Sequence, residues 1–326
     1  MTGETAYLCE AGQQGVMILE YRGLDSLAVI PERIGGMPVT ALAPYLFSAH
    51  QDHSAPSHSG GFWQSGSGQR ISSDEALALP QVKGSCLEEL RLPSALTQVG
   101  AYGFYNCENL RQLELYSATL DWGPGVFTGC SGIEEIKLHV DESRRSCMKE
   151  ILAEIRQTVR VTYEGARRAR LIFPEFFEEA VENTPARILV TNTHGCGQMY
   201  RNAFVRTQFQ FAEYDRLFPH VQVQEPEKLA AELAVGRLRF PYGLSEKSRA
   251  GYMEYLREHW TAAACQAVES QGTEELRWLL EEIPYKEEEL KDVVETANRR
   301  GNMPAVSILM DKMGTMGNSR RRRFVL

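Results

Sequence analysis

Residues 87–109 read LEELRLPSALTQVGAYGFYNCEN, and residues 110–132, which follow directly, read LRQLELYSATLDWGPGVFTGCSG. The two segments are identical at eight of 23 positions. Eight residues each recur 23 positions later: Leu87, Leu90, Leu92, Ser94, Ala95, Gly100, Phe104 and Cys107. A third copy begins at Ile133 and keeps the spacing with Ile136 and Leu138. A fixed period of this length predicts a stacked repeat structure.

Each copy predicts one coil of the chain. The L-x-x-L-x-L spacing ends in an alternating strand whose leucines face one way. Gly100 then permits a tight bend, and Phe104 and Cys107 return to the interior. One coil cannot bury its own leucines, whereas stacked coils can. We interpret the repeated cysteine as a small apolar filler rather than a reactive thiol.

A degenerate earlier copy and an insertion precede the regular repeats. Residues 39–50, VTALAPYLFSAH, match residues 96–107 at an offset of 57, which is not a multiple of 23. The residues that make this offset irregular are residues 50–73. Because they are rich in Ser and Gly, we predict that they form a flexible insertion. Phe62 and Trp63 in this insertion either dock onto the repeats, which is the favoured interpretation, or anchor a partner.

The opening "VIP…I.G.PVT.L…F", followed by "L..L.LP..L..VG.Y.FYNC.NL", resembles the BspA-type leucine-rich repeat family of bacteria over roughly residues 15–140. The resemblance implies a right-handed solenoid with one parallel sheet along a face. It also implies a role in binding other macromolecules. Tyr116 and Trp122 stand where the first copy has Pro93 and Val99, so the second copy departs from the family pattern.

Residues between the leucines are predicted to point outward in two columns. The columns are Glu89, Gln112 and Glu135, and Arg91, Glu114 and Lys137. Strands about 4.8 Å apart would set the second column in a ladder of alternating charge. The ladder is either a row of mutually satisfied surface charges or a recognition face for a protein. These six residues, with Phe62 and Trp63, are the predicted protein-binding candidates.

After residue 140 the pattern changes to a mixture of short elements. Residues 144–158 predict a helix with Met148, Ile151 and Ile155 on one face, which leads into a strand. The further predictions are strands at 159–163, 171–174 and 187–192, a short helix at 176–184 and a helix at 211–219. We predict a leucine-rich repeat domain at residues 1–140 and a mixed α/β cap and connector at 141–225.

From Glu225 onward the sequence predicts helices. Their predicted bounds are 226–239, 245–258, 260–270, 273–282, 286–299 and 303–313. Residues 264–280 align with 294–310 at a spacing of 29, and this region, about 264–313, weakly resembles the helix pairs of ankyrin repeats. That resemblance implies protein–protein interaction. We predict an antiparallel helical array at 226–326 that ends in a disordered basic tail, so the whole chain belongs to the α+β class.

Composition excludes several functional classes. The chain has 35 basic and 43 acidic residues and a net charge of −8, which argues against a nucleic-acid partner. No apolar run approaches the roughly 18 residues of a membrane helix, so no membrane contact is predicted. Because the N-terminus has no secretory pattern, the chain is expected in the cytoplasm unless a leader has been removed. Seven cysteines without a CxxC pair indicate reduced thiols.

No catalytic motif occurs in the sequence, so we predict that the chain is not an enzyme. The predicted role is a protein-binding module or scaffold, monomeric or weakly homo-oligomeric, with no cofactor and no metal. The alternative is an enzyme or small-ligand binder that uses the middle region near His194 and Cys196, where a thiol lies beside glycines and an imidazole. A deep pocket at these two residues would favour the alternative.

Overall fold

The computed structural model describes residues 5–50, 61–64, 69–183 and 188–323. Contacts divide the chain into two compact units: Met1–Arg168 with Ile172–Gln210, and Ala169–Leu171 with Phe211–Leu326. The predicted division into three parts, with boundaries at residues 140 and 225, stays a prediction. Within the described ranges, no helix combines the length and apolar character needed to cross a membrane.

The structure is a mixture of strands and helices. In chain order the strands are β1 Thr5–Ala11, β2 Val16–Gly23, β3 Leu27–Val29, β4 Arg33–Ile34, β5 Met37–Leu42, β6 Gly61–Gln64, β7 Glu89–Arg91, β8 Gln98–Val99, β9 Gln112–Tyr116, β10 Asp121–Trp122, β11 Glu135–His139, β12 Val159–Glu164, β13 Arg168–Phe173, β14 Phe177–Asn183, β15 Ile188–His194, β16 Phe204–Val205 and β17 Gln208–Phe209. The helices are α1 Ser73–Leu77, α2 Met148–Glu154, α3 Gly197–Arg201, α4 Phe211–Arg216, α5 Phe218–Gln224, α6 Glu227–Arg239, α7 Glu246–Glu258, α8 Trp260–Glu269, α9 Thr273–Glu282, α10 Glu287–Arg300 and α11 Met303–Arg323.

The repeat strands pair side by side in what we call the repeat sheet, with the order β13–β12–β11–β9–β7–β3. From β3 to β12 each neighbouring pair is parallel. Leu90 lies opposite Leu113, and Leu113 lies opposite Ile136, so equivalent residues meet at the 23-residue period. All three are buried, which confirms the predicted inward side of the strands.

A second sheet, with the order β10–β8–β5–β2–β1–β6, carries the earlier copy. Its strand β5 pairs with β8 so that Ala41 lies opposite Gln98, which confirms the predicted offset of 57. In the repeat sheet, however, Ala28 lies opposite Leu90, an offset of 62. The second offset is larger because the chain between β3 and β5 contains an added β4–β5 hairpin. This hairpin turns at Gly35 and Gly36, which have φ of 57° and 82°.

Stacked aromatic rings and thiols are buried in the interior of the first unit. Phe104 lies between Phe47 and Phe127, with ring centroids 5.8 Å and 5.5 Å away. The Cys107 thiol donates a hydrogen bond to the Phe47 carbonyl oxygen at 3.1 Å, and Cys130 donates to Phe104 at 2.9 Å. Burial raises the pKa of both thiols, to about 12 for Cys130. The repeated cysteine is therefore a buried filler that also links neighbouring copies of the repeat.

Part of the predicted flexible insertion is a strand, which corrects that prediction for residues 61–64. Strand β6 pairs antiparallel with β1, so that Trp63 lies opposite Tyr7. Helix α1 follows at Ser73, where a capping box between Ser72 and Glu75 fixes its first turn. The backbone N–H and C=O groups at the edge of β1 need hydrogen-bond partners, and β6 provides them. This pairing forms although the insertion is rich in Ser and Gly. Residues 51–60 and 65–68 lie outside the described residues.

The middle region confirms some elements and corrects one. Strands β12, β13 and β15 occur where strands were predicted. The helix predicted at 144–158 is shorter, α2 Met148–Glu154; Met148 and Ile151 are buried on it, and Ile155 is buried just after its end. Residues 177–183, predicted as part of a short helix, instead form β14, which pairs antiparallel with β15. The helix-like spacing of apolar residues there is overridden by the backbone pairing that β15 offers.

The second unit is helical. The bounds of α6 to α10 lie within one residue of the predicted ones, whereas the single helix predicted at 211–219 is two helices, α4 and α5. Helix α6 packs on α7 and α8, α8 on α9 and α10, and α10 on α11. Helix α10 ends at Gly301, whose φ of 67° is the left-handed conformation usual for a helix C-terminus. Helix α11 runs to Arg323, so residues 319–323 of the predicted disordered tail are helical, as the high helix propensity of Arg allows. Residues 324–326 lie outside the described part.

A fully buried ion pair holds α4, α6 and α7 together. The Arg237 guanidinium binds both carboxylate oxygens of Asp215, at 2.7 Å and 3.0 Å, and also donates to the carbonyl oxygens of Phe240 and Tyr242. The Tyr252 hydroxyl donates to the same carboxylate at 2.9 Å. Such a pair is tolerated in the interior because its remaining hydrogen-bonding atoms are satisfied.

Candidate functional site

The predicted charge ladder lies on the exposed side of the repeat sheet. Glu114 lies opposite Arg91 on one side and Lys137 on the other, as the 23-residue spacing requires. Its carboxylate is 2.9 Å from the Lys137 ammonium and 3.8 Å from the Arg91 Nε. The alternating column therefore has the predicted positions and charges.

The side chains of this column satisfy one another. Partial burial raises the pKa of Glu114, but hydrogen bonds from Lys137 and His139 outweigh burial and lower it overall. The hydrogen bond to Glu114 raises the pKa of Lys137. Glu114 and Lys137 are therefore both held in their ionised forms. This geometry agrees with a mutually satisfied row, and whether the row also recognises a protein stays a prediction.

The first predicted column runs beside the ladder. Glu89, Gln112 and Glu135 lie opposite one another on consecutive strands, and β12 continues the column with Arg160. Gln112 and Glu135 are exposed, and Glu89 is half-buried with its carboxylate 3.9 Å from Arg91.

A third column, which the sequence reasoning missed, extends the face. Tyr116, His139 and Glu164 lie opposite one another on β9, β11 and β12. The Tyr116 and His139 rings stack with centroids 4.6 Å apart, and the His139 Nε2 is 2.7 Å from Glu114. The sequence spacing could have revealed this column. Tyr116 lies two residues after Glu114, and His139 lies two residues after Lys137, so both lie on the same side of the sheet as the ladder. We call the three columns together the ladder face.

The two aromatic candidates of the insertion lie apart from the repeat sheet. The Trp63 ring packs directly against Gly35, since a Cβ on that glycine would lie 2.7 Å from the ring. Trp63 is half-buried there, which agrees with docking onto its own unit. The side chain of Phe62 lies outside the described part. Both stay predictions as protein-binding residues.

His194 and Cys196, the basis of the alternative function, face different environments. His194 is exposed, stacks on Phe177 with centroids 4.6 Å apart, and lies 3.2 Å from the Glu179 carboxylate. The Cys196 side chain is fully buried at the start of α3. A buried thiol beside an exposed imidazole offers no common surface to a substrate, so the alternative finds no support here.

The residues that the structure describes contain no group of three His, Cys, Asp or Glu side chains placed to hold a metal ion. Of the histidines in the insertion, His50 lies edge-on to Tyr105 with centroids 5.5 Å apart. His53 and His58 lie outside the described residues.

Comparison with known proteins supports the repeats. Residues 83–159 match the family model described as "BspA type Leucine rich repeat region (6 copies)". The matched range starts and ends later than the residues 15–140 that carry the sequence resemblance. No curated protein matches the chain.

Two solved structures of bacterial leucine-rich repeat proteins are similar to parts of the chain. The Treponema pallidum leucine-rich repeat protein is 18% identical, with 49% of this chain and 61% of that one covered and a TM-score of 0.29. A leucine-rich cell surface protein from Faecalibacterium prausnitzii is 16% identical, with 48% and 30% covered and a TM-score of 0.27. The chain thus spans less than two thirds of either protein. The family match thus shows that residues 83–159 are similar to a BspA-type leucine-rich repeat region.

Proposed function

We propose that the chain is a protein-interaction module whose repeats form a short right-handed solenoid and whose ladder face binds a protein partner. The observation that carries this proposal is the alignment of three outward columns on consecutive parallel strands. They set charged residues beside the stacked Tyr116 and His139 rings on one exposed sheet side. Aromatic and Arg side chains are the residues most enriched at the centres of protein interfaces.

We further propose that the helices from Glu227 to Arg323 form an antiparallel array, a second scaffold of the kind used in protein assembly. Its support is that α6 packs against α8, α8 packs against α10, and α10 packs against α11. Binding through an exposed face needs no cofactor, and none is proposed.

The test is affinity capture from a lysate of the source organism with the triple reversal Arg91→Glu, Glu114→Arg and Lys137→Glu. The reversal keeps alternating charges along the column, so the pairs within it persist while the pattern shown to a partner inverts. The matched control reverses the exposed pair Arg216–Glu213 on α4. Proteins retained by the wild type and the control but lost from the reversal would support the proposal. Equal retention by all three would contradict it.

A further inference from the structure

An open groove lined by three cationic side chains lies in the first unit, and none of its lining residues belongs to the ladder face. Its volume is about 590 Å³, and its lining consists of Arg145, Lys149, Glu150, Ala153, Arg206 and Thr207. Helix α2 supplies Lys149, Glu150 and Ala153, and the turn between β16 and β17 supplies Arg206 and Thr207. Three cationic side chains thus meet one carboxylate, in a chain whose net charge is −8.

The cations of this groove are mostly not neutralised by the protein. Arg145 is 3.4 Å from the Glu150 carboxylate. Neither Lys149 nor Arg206 forms a salt bridge with any residue in the described ranges. The basic groove therefore holds charge that is available to a ligand.

The turn that carries Arg206 has an unfavourable backbone conformation. Arg206 has a φ of 57° and is the first residue of a two-residue turn, where Gly is usual when φ is positive. A residue with a Cβ is strained there, and such strain is concentrated at binding sites. Arg206 is exposed, so packing does not account for an arginine at this position.

We propose that the basic groove binds a small molecule bearing two or more phosphate charges. The guanidinium groups of Arg145 and Arg206 match phosphate oxygens with paired N–H donors, and Lys149 adds a compact charge. With a volume of about 590 Å³, the groove has room for more than one phosphate group. This site is separate from the ladder face and does not depend on the proposed protein partner.

The probe for the test is inorganic pyrophosphate, titrated calorimetrically into the full chain at low ionic strength, with succinate as a dicarboxylate comparison. Arg206→Gly and Lys149→Gln should each weaken pyrophosphate binding at least tenfold. Because Gly suits the turn, Arg206→Gly should not lower the melting temperature. The charge control is Arg257→Gln on α7, and the structural control is the ladder-face reversal. Both should bind within about twofold of the wild type.

Three results would overturn the proposal. The first is an absence of saturable pyrophosphate binding by the wild type. The second is wild-type affinity in both groove variants. The third is succinate binding as tight as pyrophosphate binding, which would remove the phosphate assignment.

Discussion

Single side chains connect one copy of the repeat to the next. The rings of Phe47, Phe104 and Phe127 stack in order, and the thiols of Cys107 and Cys130 donate to the carbonyl oxygens of the preceding coil. Position in the repeat, rather than residue type alone, therefore decides what each aromatic ring and each thiol contacts. The sequence predicted that these residues are interior, but not the thiol hydrogen bonds, because a small apolar filler and a weak donor look alike in a pattern.

Phe104→Ala should lower the free energy of unfolding by about 3–5 kcal/mol, because it removes a fully buried ring that contacts two others. The measurement is urea unfolding followed by circular dichroism. Phe104→Leu, which keeps most of the volume, is the matched control and should cost less than about 1.5 kcal/mol. A loss below about 1 kcal/mol for Phe104→Ala would contradict the stacked interior.

Buried thiols make stability depend on alkaline pH. Burial raises the pKa of Cys130 from 9.0 to about 12, so between these values the unfolded chain loses a proton that the folded chain keeps. Stability contributed by this thiol is thus complete below pH 9 and falls as the pH rises towards 12. Urea midpoints measured between pH 8 and 11 should fall less steeply for Cys130→Ala than for the wild type. An equal slope in both would count against a protonated buried thiol.

Elements of the first unit are positioned by backbone contacts that leave no room for a side chain. A Cβ on Gly100 would overlap the backbone of Ala43 and Pro44, and one on Gly123 would overlap Ala101. The sequence indicated a bend at these glycines, whereas the structure shows close approach of neighbouring coils without a positive φ at either position. A short sequence pattern shows where the glycine is, but it does not show which backbone segment approaches too closely for a side chain.

Gly100→Ala should therefore destabilise the first unit by about 1–3 kcal/mol through steric overlap. Gly251→Ala in α7 is a matched control, because nothing lies within 4 Å of its added methyl group. That control should stabilise its helix by about 0.5–1 kcal/mol. Thermal unfolding of both variants measures the difference, and equal melting temperatures would contradict the close approach of coils.

The buried Arg237–Asp215 pair makes a second prediction at this scale. Arg237→Ala leaves the Asp215 charge uncompensated in the interior, so unfolding should become easier by about 3–5 kcal/mol. The double variant Arg237→Ala with Asp215→Ala should lose less than the sum of the single variants, since neither charge is then left alone. Chemical unfolding monitored at the helical signal tests this, and strict additivity would show that the two groups are not coupled.

Across the whole molecule, periodic segments were predicted well, whereas pairings between segments that share no repeat pattern were not. The 23-residue period, the ladder columns and the helices after Glu225 all follow from spacing that lies within short windows. Strand β14 was predicted as a helix because its pairing with β15, which was itself predicted as a strand, is not visible in local periodicity. Glu164 was missed because β12 follows β11 at an offset of 25 and lacks the leucine motif.

The ladder face exists only if the repeat strands pair in register and in the order β7–β9–β11. Cysteine pairs test this directly in a Cys86→Ser background, which removes the exposed native thiol. Neighbouring strands lie about 4.8 Å apart, so Gln112→Cys with Glu135→Cys should be cross-linked rapidly by a short bifunctional thiol reagent. Glu89→Cys with Glu135→Cys spans two strands, about twice that distance, and should react slowly. Equal rates for the two pairs, or a faster reaction of the second, would contradict the stacked face.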